Sequence, residues 1–269
     1  GAIRFVAPPL GALLLTLVGV QGVLPLDILT AIGAIAPLLV VPVPQPPAKA
    51  AAGKGPRPVL LGLGEGVRYV WNWPGLRLLV VTSALFAFGF QPLLSFLPLL
   101  VTEHFGGGAL ELGWLQSAAG IGAIAGGVLL SVWGGHERHM TTSVTGTFGM
   151  ALGCLLVALT PANAFGLALA SAAMIGLAQA WHISGLHATQ QSVTRPEMQG
   201  RYFAITQSVF RVMTPLALSF TGLVVDLWGV RLLWFVCPAL ILAIASIRRF
   251  TPAVYYIEDR PDVGQLEPG

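Results

Sequence analysis

Apolar runs of about 20 residues recur along this chain, and they constrain its fold more than any other feature. They cover Leu24–Val41, Leu78–Val101, Leu110–Trp133, Val144–Thr160, Ala164–Trp181, Ala204–Val225 and Val230–Ile247, with a shorter eighth at Phe5–Val20. A helix rises about 1.5 Å per residue, so each run is long enough to cross roughly 30 Å of hydrocarbon. Water is a poor solvent for such a chain. Only 9% of its residues are charged and 55% are hydrophobic, whereas soluble domains carry about 25% charge. The sequence therefore predicts an all-α polytopic membrane protein with eight transmembrane helices in a lipid bilayer.

The net charge of +3 raises the question of a nucleic-acid partner, and its distribution answers it. Lys49, Lys54, Arg57, Arg68 and Arg77 share one inter-helix loop. Arg138, Arg195 and Arg201 fall in alternate later loops, and Arg248, Arg249 and Arg260 follow the last run. The loops between hold Glu103, Glu111 and Asp226, with Arg231 their only basic residue. That alternation is the positive-inside pattern. It predicts a multi-pass protein of the cell (inner or plasma) membrane with a cytoplasmic C-terminus, and no nucleic-acid partner. Cys154 and Cys237 lie inside apolar runs and are expected to be buried thiols rather than a disulfide.

The sharpest boundary is VPVPQPPAKAAAGKGPRP, residues 41–58, whose Pro, Ala, Gly and Lys end a helix and make an exposed linker. Residues 1–41 are thus expected to hold two helices, and 42–76 a cytoplasmic linker. Within that linker LLGLGEGVRYVWNWPGLR reads as a short amphipathic helix, with Trp71 and Trp73 at the membrane interface. Residues 77–250 should form a six-helix bundle and 251–269 a cytoplasmic tail. The chain opens without Met, and no signal peptide is visible.

The stretch SVFRVMTPLALS places Arg211 and Pro215 in an apolar run, and the pair has a counterpart. IRFVAPPLG (3–11) written beneath FRVMTPLAL (210–218) sets Arg4 against Arg211 and Pro8 against Pro215. The same register sets Gly22-Val23 against Gly229-Val230. Parallel repeats of this kind mark transporters built from two similar halves. By this register Arg4 sits mid-span, so the chain is expected to start partway along a helix.

On these residues the sequence resembles the major facilitator superfamily, in its macrolide-efflux and enterobactin-exporter-like branch. RFVAPPLGALL resembles the antiporter motif of the family's fifth helix, usually Gly-Pro-x-x-Gly-Gly, with Ala7, Pro8, Gly11 and Ala12 in those places. VPVPQPP, EGVRYVWNWPGLR, PLLSFLPLLV and RPEMQGRYFAI resemble the segments around helices six, seven and ten to eleven. The resemblance implies a partial major facilitator fold: helices five to twelve, the last two of a truncated first bundle and a complete second one. It implies proton-coupled export of a small molecule by alternating access, by a monomer without metal or organic cofactor, with Pro8, Gly11 and Pro215 bending or gating helices.

Candidate site residues follow from helical spacing. Gln207, Arg211, Thr214 and Thr221 stand four, three and seven apart and share one face. A polar stripe in lipid must face the bundle interior or a water-filled cavity. Arg211 either binds substrate or a coupling carboxylate there, or snorkels towards the cytoplasmic side and braces neighbouring helices. Arg4 has the same two readings. No Asp or Glu lies mid-span, so a counter-charge sits on other helices or the cavity suits an anion. Gln91 with Ser95, and Gln179 with His182, either line the same cavity or make interhelical hydrogen bonds. His182 is in addition a candidate proton relay. Gln116 and Ser117 read as structural.

Two motifs mislead. GIGAIAG, residues 120–126, formally matches a dinucleotide fingerprint, which requires a strand before it. Inside an apolar span, Gly122-x-x-x-Gly126 means close helix packing instead. HERHM lacks the spacing that puts two histidines one helical turn apart around a metal. No enzyme is expected, because His182 has no intramembrane carboxylate or nucleophile beside it. A secondary transporter of drug-like compounds or siderophores is the leading expectation; the alternative is a non-transporting structural or regulatory membrane module or an inactive transporter fragment.

Overall fold

The computed structural model describes residues 66–259 together with Pro25, Thr30, Ile32, Gly33 and Gly64. The chain divides at Leu61 and Gly62 into two compact units, and the architecture below is that of the second. Residues 66–72 are helical. Then come α1 (Pro74–Ser95), α2 (Leu97–Glu103), α3 (Ala109–Trp133), α4 (His139–Leu159), α5 (Phe165–Val193), α6 (Pro196–Trp228), α7 (Val230–Phe250) and α8 (Pro252–Tyr255), followed by a 3-10 turn at Ile257–Asp259. Among the described residues six helices, α1 and α3 to α7, are long and apolar enough to cross a membrane. The all-α class stands. The two predicted spans before the linker, and with them Arg4, Pro8, Gly11 and the superposition on Arg211, lie outside the described residues apart from the isolated positions named above.

Each predicted run from Leu78 onward became a helix, with instructive differences at the ends. The first run is divided at Phe96 because Pro92 and Pro98 each lack an N–H. Backbone bonds carry the chain across the junction, from Phe96 N to Pro92 O (2.8 Å) and Leu100 N to Phe96 O (3.0 Å). α5 continues past its expected end at Trp181 to Val193. Its extra turns hold buried Thr189 and Gln190, polar residues that a hydropathy reading assigns to a loop. Trp73, expected at the membrane interface, is instead buried with Val70, Leu76, Tyr202 and Ile257, whereas Trp71 is exposed.

Short loops join the spans, so successive ones run antiparallel. α5 lies between α3 and α4, and glycines make both seams. A Cβ on Gly122 would stand 1.8 Å from Ala173 O, and one on Gly176 the same distance from Ala119 O. On the other side a Cβ on Gly146 would meet His182 N at 2.4 Å. Without side chains at these points the backbones touch, which is how helices associate where lipid removes the hydrophobic driving force. Trp181 Nε1 adds a hydrogen bond to Gly126 O at 2.9 Å.

At the end of the bundle where α1 begins and α7 finishes, the segment after α7 folds back under the helices. Glu258 accepts from His139 N (3.0 Å) and Met140 N (2.8 Å), and from the Thr189 hydroxyl. It thereby satisfies two of the N–H groups that every helix start leaves unpaired. Beside it Arg138 pairs with Asp259 at 2.8 Å and lies over the Tyr256 ring at 4.5 Å. Glu258→Ala is expected to lower stability by about 1–2 kcal/mol, the usual effect of losing a helix cap. Glu258→Gln, which keeps one acceptor, should lose less. Thermal unfolding of the two variants in detergent measures this; equal melting temperatures to wild type would show that the fold-back does not brace the bundle.

Candidate functional site

α6 carries three faces that differ in chemistry. Tyr202, Thr206, Ala217 and Thr221 are buried against the bundle. Val212, Leu216, Phe220, Leu223 and Leu227 form an exposed apolar strip, stepping by three and four as a lipid-facing side does. Between these faces lie Gln207 and Arg211, both exposed, and half-buried Thr214. Thr221, which spacing grouped with them, turns inward and donates to Ala217 O. Gln207, Arg211 and Thr214 therefore share a face that is neither the packed side nor the apolar side. Arg211 makes no ion pair or hydrogen bond among the described residues.

Local chemistry softens the helix at this face. Pro215 has no N–H to offer the Arg211 carbonyl four residues back. Thr214 Oγ1 donates to Phe210 O (3.0 Å), and Ser219 Oγ to Pro215 O (2.9 Å). Such back-bonding from hydroxyls bends helices. α6 nevertheless runs unbroken for 33 residues through Pro215.

The other candidates are dispersed. α1 packs against α6 and carries Gln91, half-buried, and Ser95, exposed, around Pro92. No hydrogen bond joins either to the α6 face among the described residues. Gln179 is half-buried on α5. His182 is enclosed, 3% exposed, with its Nδ1 at 2.8 Å from Thr147 Oγ1 and 3.3 Å from Ser143 Oγ. Its ring lies 4.4 Å from that of Phe86, so three helices hold it in place. His182 thus sits in the interior of the bundle, and Arg211 on its surface.

One charged residue was missed by the sequence reading. Arg248, expected to follow the last span, lies within α7 and is fully buried. Its Nε donates to Thr82 Oγ1 (3.0 Å) and its Nη2 to Ser83 Oγ (2.9 Å). The signal was spacing: Cys237, Ile241, Ala245 and Arg248 step by four, four and three down one face, all buried. An arginine pair at the end of an apolar run conceals it, because the expected behaviour there is snorkelling.

An apolar groove of about 460 Å³ runs between α4 and α5, past Phe148, Leu152, Met174, Leu177 and Trp181. The one N–H among these side chains, Trp181 Nε1, is already bonded to Gly126 O. With Leu152 exposed beside it, the groove suits acyl chains better than an oriented ligand. No group of three or more metal-ligating side chains occurs among the described residues.

A family model described as Major Facilitator Superfamily matches residues 79–269. The chain belongs to that superfamily. It is a multi-pass membrane protein of a transporter family, not an enzyme. It is 24% identical over 242 residues to macrolide efflux protein A of Streptococcus pyogenes, covering 90% of this chain and 59% of that protein. Over 213 residues it is 24% identical to macrolide efflux protein A of Enterococcus faecalis, covering 79% and 65% of the two chains. The multidrug efflux pump Tap of Mycolicibacterium fortuitum is 25% identical over 193 residues, 70% of this chain and 46% of the pump. The chain thus spans less than two thirds of the length of these relatives.

Proposed function

We propose that this chain is the substrate-handling second bundle, with part of the first, of a secondary exporter that moves a small drug-like molecule by alternating access coupled to protons. The observation that carries the reading is the third face of α6. Gln207, Arg211 and Thr214 are polar, accessible and set apart from both the packed and the apolar sides, as residues lining an aqueous path must be. The efflux proteins among the relatives support outward transport of a small molecule. The basic residues Arg138, Arg195, Arg201 and Arg249 at the α8 end support placing that end, and the C-terminus, in the cytoplasm.

In this reading Arg211 orients the cargo by charge and by its planar fork of donors. Pro215, which leaves the Arg211 carbonyl without its helical N–H, lets the face open alternately to the two sides, and Pro8 and Gly11 are assigned the same role beside Arg4. Gln91, Ser95 and Gln179 add neutral hydrogen-bonding groups along the path. His182 serves as a proton relay only in a state that opens its enclosure.

Cysteine accessibility tests the lining. Cys154 and Cys237 are buried, so introduced thiols can be read against a quiet background. In membranes containing the full-length protein, Gln207→Cys and Thr214→Cys are expected to react with a water-soluble, membrane-impermeant maleimide. Leu216→Cys and Leu223→Cys should stay unlabelled. Equal labelling of both pairs, or none of either, would remove the aqueous path from this face.

A further inference from the structure

The short helix over residues 66–72 is fixed to the bundle by one side, and its other side is exposed. Gly66, Val70 and the following Trp73 step by four and three towards the core. A Cβ on Gly66 would stand 3.2 Å from Arg201 Cβ. Val70 and Trp73 are buried with Leu76, Val193, Tyr202 and Ile257. So anchored, the helix has no freedom to roll its outer side inward. That side presents Val67 and Trp71, one helical turn apart and 47% and 62% exposed, with exposed Arg68 beside them. Arg77, exposed in the first turn of α1, holds its guanidinium 5.9 Å from the centre of the Trp71 ring. The ion pair among the described residues is Arg138–Asp259. The Arg68 and Arg77 guanidinium groups have neither an ion pair nor a hydrogen bond there.

We propose that Val67, Arg68, Trp71 and Arg77 form a seat for an anionic phospholipid, with the two arginines facing its charged headgroup and Val67 and Trp71 its acyl chains. Two chemistries on one patch argue for it. A free anion makes no use of Val67 and Trp71, and a neutral lipid makes little use of two unpaired guanidinium groups. Tryptophan sits by preference at headgroup depth, and each arginine beside an anionic leaflet strengthens the attachment. The charge at this end of the bundle points the same way. Glu258 is bound to the start of α4 and to Thr189, and Asp259 to Arg138. Arg195 and Arg249 add exposed positive charge, opposed by the exposed carboxylates Glu137 and Glu197. The seat is separate from the α6 face with Arg211 and does not depend on what the protein transports.

Native mass spectrometry decides it, on full-length protein released from nanodiscs of phosphatidylglycerol and phosphatidylcholine in equal parts. The wild-type protein should retain chiefly phosphatidylglycerol. Arg68→Gln and Arg77→Gln should each lower the ratio of phosphatidylglycerol to phosphatidylcholine about fivefold. Trp71→Ala should lower the phosphatidylglycerol retained. Arg231→Gln is the control: an exposed arginine at the start of α7, away from this end, it should leave the ratio unchanged. All four positions are exposed, and melting temperatures near wild type should show that the variants fold. If one does not, the wild-type ratio and the remaining variants still decide. Inorganic phosphate in excess should displace no lipid, whereas displacement would assign the arginines to a free anion and overturn the seat. Equal retention of the two lipids by the wild-type protein, or a ratio unchanged in both arginine variants, also overturns the proposal.

Discussion

Gly122→Val is expected to prevent α3 from seating on α5 and to leave little folded protein. The new Cβ would stand 1.8 Å from Ala173 O, with Ala173 C at 2.6 Å and its Cα at 2.8 Å. All three are backbone atoms on a rigid helix, so no rotamer change relieves the clash. Overpacking in a dense interior costs about 1–3 kcal/mol when side chains can give way, and here they cannot. The whole seam must widen, which also parts Gly126 from Leu177 and breaks the Trp181–Gly126 bond at 2.9 Å. Gly127→Val is the matched control: it sits one residue along the same helix with nothing within 4 Å. Both variants add the same apolar bulk to one span, so insertion is equally favoured. Size-exclusion of fluorescently tagged protein should show a monodisperse peak for Gly127→Val and aggregate for Gly122→Val. Similar peaks would mean that the seam is not closed as described.

That glycine was legible in the sequence, and its partner was not. Gly122-x-x-x-Gly126 announces a close contact, but spacing along one helix does not say which helix arrives. Gly176 stands far from the other glycines of α5, Gly166 and Gly185, so no spacing motif marks it, and only assembly reveals that it faces Ala119. The spans themselves were legible because crossing hydrocarbon depends on composition over about 20 residues, a local property. Their ends were less so: α5 keeps its helix beyond Trp181 by turning Thr189 and Gln190 inward.

The same limit divides the sites. Gln207, Arg211 and Thr214 were grouped by helical period alone, and the structure leaves all three on one side of α6. Thr221 has the right period but lies near the edge of the stripe, where packing drew it into the bundle. Arg248 needed knowledge of α1, since Thr82 and Ser83 are what turn an end-of-span arginine inward. Glu258 caps a helix 119 residues earlier in the chain, a pairing that no periodicity encodes.

The second large effect is expected at Arg211. Its side chain is accessible and has no ion pair or hydrogen bond among the described residues, so removing it should cost the fold little. Arg211→Ala should insert and accumulate like wild type while losing export. A charge-assisted hydrogen bond contributes about 1.5–3 kcal/mol, so one lost contact to cargo alone implies roughly a 10- to 100-fold drop. Arg211→Lys keeps the charge but not the paired donors of the planar fork, and export should be weakened rather than lost. The most direct test is the initial efflux rate, from cells expressing the full-length Arg211→Ala protein, of a small drug-like compound that the wild-type protein exports, normalised to protein in the membrane. Background efflux at undiminished abundance is the predicted result; efflux near the wild-type rate would contradict it and return Arg211 to a snorkelling charge with no part in transport.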